Sequence, residues 1–336
     1  MNFFKRFSND IGIDLGTSSV LIYVKDKGIV LKEPSVVAVD LHTGKLAAVG
    51  EEARRMLGRA HEAIQVVRPL SDGVISDYDL TEQMLKYFIA RVTRNKFFKP
   101  RVMICVPSGV TEVEQRAVRD AALQAGAKKV KLIEEPLAAA IGADLDISRP
   151  RGIFIIDIGG GTTDIATISL SDIVISKSIK TAGDEFDNAV IDYVKKQYSL
   201  QIGVRTAEEV KCSIGCVYPR PTDISIEIRG GSILTGLPQT IQVRSEEIRY
   251  AFEPVVQEII SAVKEVLENT PPELIGDILE DGALITGGGG LVYGLDKRLS
   301  DETCLNIRVA EDPVSCVAKG AGAALEHLEV ANDTIM

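Results

Sequence analysis

The chain has 336 residues, 45% of them hydrophobic, enough for about two domains with real cores and too apolar for a disordered chain. Its net charge of −10 argues against general nucleic-acid binding, which needs a basic footprint to displace counterions. No run approaches the roughly 18 to 20 apolar residues that span a bilayer, no signal-peptide core opens the sequence, and five scattered cysteines fit a reducing cytoplasm better than a disulfide framework.

From residue 11 to about 49 the pattern is strand-rich, with turn signals at Lys25-Asp26-Lys27-Gly28 and His42-Thr43-Gly44-Lys45. A short helix is expected over 51–57. A longer amphipathic one is expected over 80–92, with Leu80, Met84, Tyr87, Phe88 and Val92 forming its core face. Strand and helix then alternate: strand 102–106, helix 111–125, strand 130–133, helix 136–143. Thr111 and Glu114 have the spacing of a capping box, and Gly126 supplies a stop. The second half repeats the design from Ile153, with helices expected at 184–198, 207–214, 245–269 and 314–328. Pro219-Arg220-Pro221 and Gly230-Gly231 punctuate a polar, strand-like insert. The whole reads as duplicated α/β architecture, mixed sheets covered by helices.

One chemical phrase occurs in both halves. Ile13-Asp14-Leu15-Gly16-Thr17 returns as Ile156-Asp157-Ile158-Gly159-Gly160-Gly161-Thr162-Thr163-Asp164. Each time a β-branched strand ends in a carboxylate, glycine and a hydroxyl residue make a tight hairpin, and an apolar strand returns. Two such hairpins face to face make a phosphate clamp, because glycine lets backbone N–H groups approach phosphate oxygens and threonine hydroxyls add donors. Asp14 and Asp157 then lie across one cleft, suited to a hydrated Mg²⁺ against a nucleoside triphosphate.

A third glycine cluster, Thr286-Gly287-Gly288-Gly289-Gly290, follows an apolar strand and precedes a helix expected near 291–299. It suits close approach of a nucleotide and matches neither a dinucleotide fingerprint nor a P-loop. Glu134-Glu135-Pro136 joins a strand to a helix, so one carboxylate can project into the cleft and orient a water. Three histidines far apart argue against a histidine base, and Cys212 and Cys216, at helical spacing with no histidine beside them, read as unpaired structural thiols. Two aromatic-basic patches suggest contact with an anionic membrane: Phe3, Phe4 and Phe7 beside Lys5 and Arg6, and Phe97-Phe98 among Arg94, Lys96, Lys99 and Arg101.

Asp14 to Thr17, Asp157 to Thr162, Glu135-Pro136-Leu137-Ala138-Ala139-Ala140 and Thr286 to Gly289 resemble the phosphate-1, phosphate-2, connecting and adenosine motifs of the actin-like ATPase superfamily. Within it, Asn9-Asp10-Ile11-Gly12-Ile13-Asp14-Leu15-Gly16-Thr17, Glu33-Pro34-Ser35-Val36-Val37-Ala38, Val106-Pro107-Ser108-Gly109 and Thr270-Pro271-Pro272-Glu273-Leu274 resemble the bacterial actin MreB family across essentially the whole chain.

The resemblance implies an actin-like ATPase fold of two ribonuclease-H-like domains with a nucleotide cleft between them. The first would comprise 1–148, with a small insert about 33–70, completed by a C-terminal helix at 312–336. The second would comprise 149–311, with an insert about 187–245. It implies ATP or ADP as ligand and Mg²⁺ organised by Asp14 and Asp157. The phosphates would be held by Gly16, Thr17, Ser18 and Gly159, Gly160, Gly161, Thr162 and Thr163, and the nucleoside by Glu208, Lys211, Gly287, Gly288 and Gly289. Glu135 would activate water with Thr162 assisting. The implied function is a slow, polymerising ATPase at the inner face of the cell membrane, forming homopolymers and working with cell-wall synthesis proteins to maintain rod shape. A chaperone-type ATPase domain and a small-molecule kinase are the rival readings in the superfamily. Ser18-Ser19-Val20, Asp164 and Ala182-Gly183-Asp184 depart from the usual pattern.

Overall fold

The computed structural model describes residues 10–93 and 99–333, with side chains through Leu325. Phe3, Phe4, Phe7, Phe97 and Phe98 therefore lie outside the described residues. The first half runs β1 (Ile11–Leu15), β2 (Ser19–Val24), β3 (Gly28–Pro34), β4 (Val37–Asp40), β5 (Leu46–Val49), α1 (Glu51–Met56), β6 (Ile64–Val67), β7 (Leu70–Ser71) and β8 (Val74–Ile75). It continues with α2 (Tyr78–Val92), β9 (Arg101–Val106), α3 (Glu112–Gln124), β10 (Lys129–Glu134) and α4 (Glu135–Gly142). The second runs β11 (Ile153–Ile158), β12 (Thr163–Ser169), β13 (Asp172–Ile179), α5 (Gly183–Tyr198), β14 (Leu200–Gln201), α6 (Val204–Ile214), β15 (Ser225–Ser232) and β16 (Pro238–Arg244). Then come α7 (Ser245–Asn269), α8 (Pro272–Asp281), β17 (Ala283–Thr286), α9 (Leu295–Thr303), β18 (Ile307–Val309) and α10 (Cys316–Asp333).

The duplication seen in the sequence is a duplication of topology. One five-stranded sheet has the order β10-β9-β1-β2-β3 and the other, read from its far edge, β18-β17-β11-β12-β13. In both, the central strand pairs antiparallel with its hairpin partner on one side and parallel with a later strand on the other. The parallel strands are covered on both faces, which is why β9 and β11 read as near-continuous apolar runs. Small sheets β5-β4-β6 and β14-β15-β16 extend from the two halves.

Local signals explain most boundaries. The Thr111 amide donates to Glu114 Oε2 at 2.8 Å and the Glu114 amide to Thr111 Oγ1 at 3.3 Å, so the capping box forms as expected. Helix α2 starts before residue 80 because the Asp77 side chain accepts from the Leu80 amide. Met84 and Phe88 are fully buried on it, but Tyr87 is 44% exposed and does not belong to the core face. Helix α8 is an addition to the expected elements: Pro272 sits in its first turn, where a missing N–H does no harm, and Leu274, Ile275, Ile278 and Leu279 recur at helical spacing along it. The helix expected over 291–299 forms later, as α9. Gly289–Leu291 instead makes a 3-10 turn, and Gly294 takes a left-handed φ of 80° before α9 begins.

Beside a small cluster of Val36, Ala38, Ala48 and Ala53 at α1, three large apolar clusters make the core. One fills each half, and a third joins Met103, Cys105 and Ala138 to Ala140 with Ile155, Ala166, Leu284, Val317 and Ala321. This third cluster is built around α4 and α10, which touch through glycine. A Cβ on Gly142 would lie 1.8 Å from the Cys316 carbonyl oxygen, and one on Gly320 1.8 Å from that of Ala138. Helix α10 also packs on β1, where a Cβ on Gly12 would come within 2.5 Å of the Gly322 nitrogen. The last described helix therefore completes the first sheet.

Candidate functional site

The two central strands aim their ends at each other. Asp14 leaves β1 just before a hairpin closed by the Gly16 amide donating to the Ser19 carbonyl at 3.1 Å. Asp157 leaves β11 before a hairpin closed by the Gly159 amide donating to the Thr162 carbonyl at 2.9 Å. The turns meet. A Cβ on Gly160 would lie 2.1 Å from Ser18 Oγ, and one on Gly161 2.5 Å from Thr17 Oγ1, so only glycine allows the hairpins this close. Thr17 Oγ1 also accepts from the Gly73 amide at 2.9 Å, and the amides of Gly183 and Asp184 donate to the carbonyls of Gly159 and Gly160 at 3.1 and 2.7 Å.

Behind the turns is a cavity of about 500 Å³. Asp14, Gly16, Thr17, Ser18, Glu135, Asp157, Gly159, Gly160, Gly161, Thr162, Glu208, Lys211, Gly287, Gly288 and Gly289 all line it. Thr163 is the exception. Its hydroxyl donates to the Thr181 carbonyl at 2.7 Å within the sheet, because consecutive residues of a strand face opposite sides. Gly287 takes a left-handed φ of 80° and passes so near β11 that a Cβ would lie 2.2 Å from the Ile158 carbonyl oxygen.

The cavity's electrostatics are unbalanced. Burial and, after it, the Asp157 charge push Asp14 up to about 8. Burial lifts Asp157 to about 6 against the opposing effect of Thr286 Oγ1, which donates to Asp157 Oδ1 at 2.6 Å. Glu135, 7% exposed, is raised well above the carboxylate range by burial and then by Asp164, Asp14 and Asp157. Two buried acids, Asp157 and Glu135, and the half-buried Asp14 around one space need a cation to ionise together. Their hard oxygen donors fit Mg²⁺. Among the described residues no three His, Cys, Asp or Glu side chains converge tightly enough to hold an ion by themselves.

Glu134 and Glu135 separate cleanly. Glu134 Oε2 accepts from Ser108 Oγ at 2.7 Å outside the cavity, while Glu135 faces in. Ser108 also donates its amide to Asp164 Oδ1 at 2.7 Å, a buried tie between the halves. At the other end Lys211 Nζ donates to the Gly183 carbonyl at 2.8 Å and to Asp187 Oδ2 at 2.9 Å. Glu208 accepts from Arg54 at 3.3 Å, and Arg68 donates to both Asp184 oxygens at 3.1 Å. These pairs, with Lys180 and Asp72 at 3.7 Å, cross the cleft mouth.

Sequence reasoning missed several lining residues. Arg220 stacks 4.1 Å over the Tyr293 ring and walls the far end, and Lys32, Gly73 and Gly183 line the cavity as well. The departure at 182–184 was the available signal for Gly183; nothing in spacing marks the others. The cysteines are free as expected, Cys212 exposed at the rim and Cys216 buried, its thiol donating to the Ser245 carbonyl at 3.3 Å.

Residues 8–333 match the family model described as MreB/Mbl protein. The cell shape-determining protein Mbl of Bacillus cereus (strain ATCC 10987 / NRS 248) is 53% identical over 324 residues, 96% of this chain and 97% of that one. The cell shape-determining protein MreB of Escherichia coli (strain K12) is 49% identical over 330 residues, 96% of this chain and 95% of that one. Among solved structures, MreB5 of Spiroplasma citri bound to AMPPNP superposes with a TM-score of 0.93 at 40% identity, covering 98% of this chain and 99% of that one. The same protein bound to ADP gives 0.92 at 41%, covering 97% and 98%.

Proposed function

The chain belongs to the MreB/Mbl family of actin-like, cell shape-determining proteins, and on that premise we propose that it is a slow Mg²⁺-dependent ATPase coupled to filament assembly. The observation that carries this reading is the meeting of the two glycine hairpins over the buried Asp157 and Glu135 and the half-buried Asp14. A space so acidic, walled by backbone amides, is suited to a polyphosphate arriving with its cation. The nucleotide-bound structures of the Spiroplasma relative, with AMPPNP and with ADP, support the same ligand class here.

Asp14 and Asp157 would hold Mg²⁺ through water, and when bound it would supply positive charge against the phosphates. The amides and hydroxyls of Gly16, Thr17, Ser18 and Gly159 to Thr162 would seat the phosphates. Gly287 to Gly289 would lie flat against the nucleoside, with Glu208 and Lys211 at its ribose end. Glu135 would accept the proton of the water attacking the γ-phosphorus as the bond to the β–γ bridging oxygen breaks and ADP leaves, Thr162 orienting that water.

We further propose the division into 1–148 with 312–336 and 149–311, homopolymer formation, and attachment to the inner face of an anionic membrane through Phe97-Phe98 or Phe3-Phe4. There the polymer would organise cell-wall synthesis proteins. The test is sedimentation and phosphate release with ATP, ADP or neither. Polymer formed with ATP, with slow phosphate release, is the expected result; phosphate transferred to an added small-molecule hydroxyl would favour the kinase reading instead.

A further inference from the structure

Lys32 is on β3, outside every motif considered above, yet it lines the nucleotide cavity. The register shows how. Asp14 is directly opposite Leu21 on β2, and Leu21 is directly opposite Lys32 on β3. Residues in one transverse row share a face of the sheet. The face that carries the Asp14 carboxylate into the cavity therefore carries the Lys32 side chain too. Two strand spacings separate their backbones, about 10 Å, and a lysine's four-carbon stem spans much of that distance.

The cavity's other cations are committed. Lys211 is held by Asp187 and the Gly183 carbonyl, and Arg220 is stacked on Tyr293 and bonded to the Gly215 carbonyl at 3.1 Å. Asp312 senses the Lys32 charge, but that carboxylate is bridged by Lys319 at 2.8 Å. No ion pair or hydrogen bond among the described residues occupies the Lys32 ammonium. The duplicated row in the second sheet, Asp157, Asp164 and Ser178, carries no base. One divalent ion does not neutralise a nucleoside di- or triphosphate, and the clamp's remaining donors are neutral amides and hydroxyls.

We propose that Lys32 is the clamp's positive charge, a positioning residue that contacts the phosphate chain of bound ATP or ADP beside Asp14. This rests on the nucleotide reading above and adds to it a residue that none of the recognised motifs contains.

The test compares wild type, Lys32→Gln and Lys32→Arg by calorimetry with Mg²⁺ and ATP, ADP or AMP at fixed salt, alongside melting of the free proteins. Lys32→Gln should bind ATP and ADP roughly tenfold or more weakly, the share of one charge-assisted hydrogen bond, with AMP affinity and free-protein melting unchanged. Lys32→Arg should recover most of the loss. Wild-type ATP affinity in Lys32→Gln overturns the inference alone, as does an equal loss for AMP, which would mark a structural role. Failure of wild type itself to bind ATP overturns the nucleotide reading, and the inference with it.

Discussion

At the scale of single residues, the free protein holds Asp14 in a site that suits it poorly. Burial raises its pKa from 3.8 to about 8, so the folded state binds that proton more tightly than the unfolded chain does. The sign follows by linkage: the Asp14 contribution to stability declines as pH rises between those values. Asp14→Asn is expected to flatten the fall in melting temperature between about pH 4 and 8 while abolishing the extra stability that Mg²⁺-ATP confers on wild type. Thermal melts with and without ligand check both. Glu135 poses a different question, since its neighbour Glu134 is engaged by Ser108 and faces away. Glu135→Ala should bind ATP normally and lose roughly 10²- to 10⁴-fold in phosphate release, with Glu134→Ala near wild type. Single-turnover hydrolysis would show the wrong carboxylate had been chosen if the two variants behaved the other way round.

Between elements, the contact of α4 with α10 has the least slack. Gly142→Ala or Gly320→Ala drives a methyl into a backbone carbonyl, which no rotamer change relieves. Each is expected to destabilise by about 1–3 kcal/mol, as overpacking does, read from urea unfolding. Most elements were legible beforehand because their signals are local: the Thr111–Glu114 box, the alternating apolar strands, the repeated hairpin. The late start of α9 was not, because a 3-10 turn carries no period of its own; α8 did carry local signals, Pro272 in its first turn and Leu274, Ile275, Ile278 and Leu279 at helical spacing, which its shortness between a proline pair and Gly282 obscured. The site divides the same way. Residues in glycine-carboxylate motifs announced themselves, whereas Lys32, Arg220 and Tyr293 reach the cavity only through strand register and tertiary packing, and Thr163 turned away through the strand's two-residue alternation.

For the whole molecule, the proposed membrane attachment depends on assembly. Burying two phenylalanines contributes roughly 3–6 kcal/mol, which holds a monomer weakly. A row of subunits multiplies that contact through effective concentration. Phe97→Ser with Phe98→Ser should lose co-sedimentation with anionic vesicles while filaments still form; full binding there, with loss only on removing residues 1–8, assigns the anchor to the N-terminal arm.

The seating of α10 against β1 and α4 also bears on how the chain is made. Residues 11–15 leave the ribosome early, but the helix that covers them spans 316–333. At cellular synthesis rates that delay is on the order of tens of seconds. Throughout it the first sheet lacks part of its cover, and the clamp whose Asp14 strand it supports is incomplete. A nascent chain therefore gains the support of its Asp14 strand only once residues 316–333 have followed it out, so the two ends of this stretch of sequence must both be made before the clamp can settle.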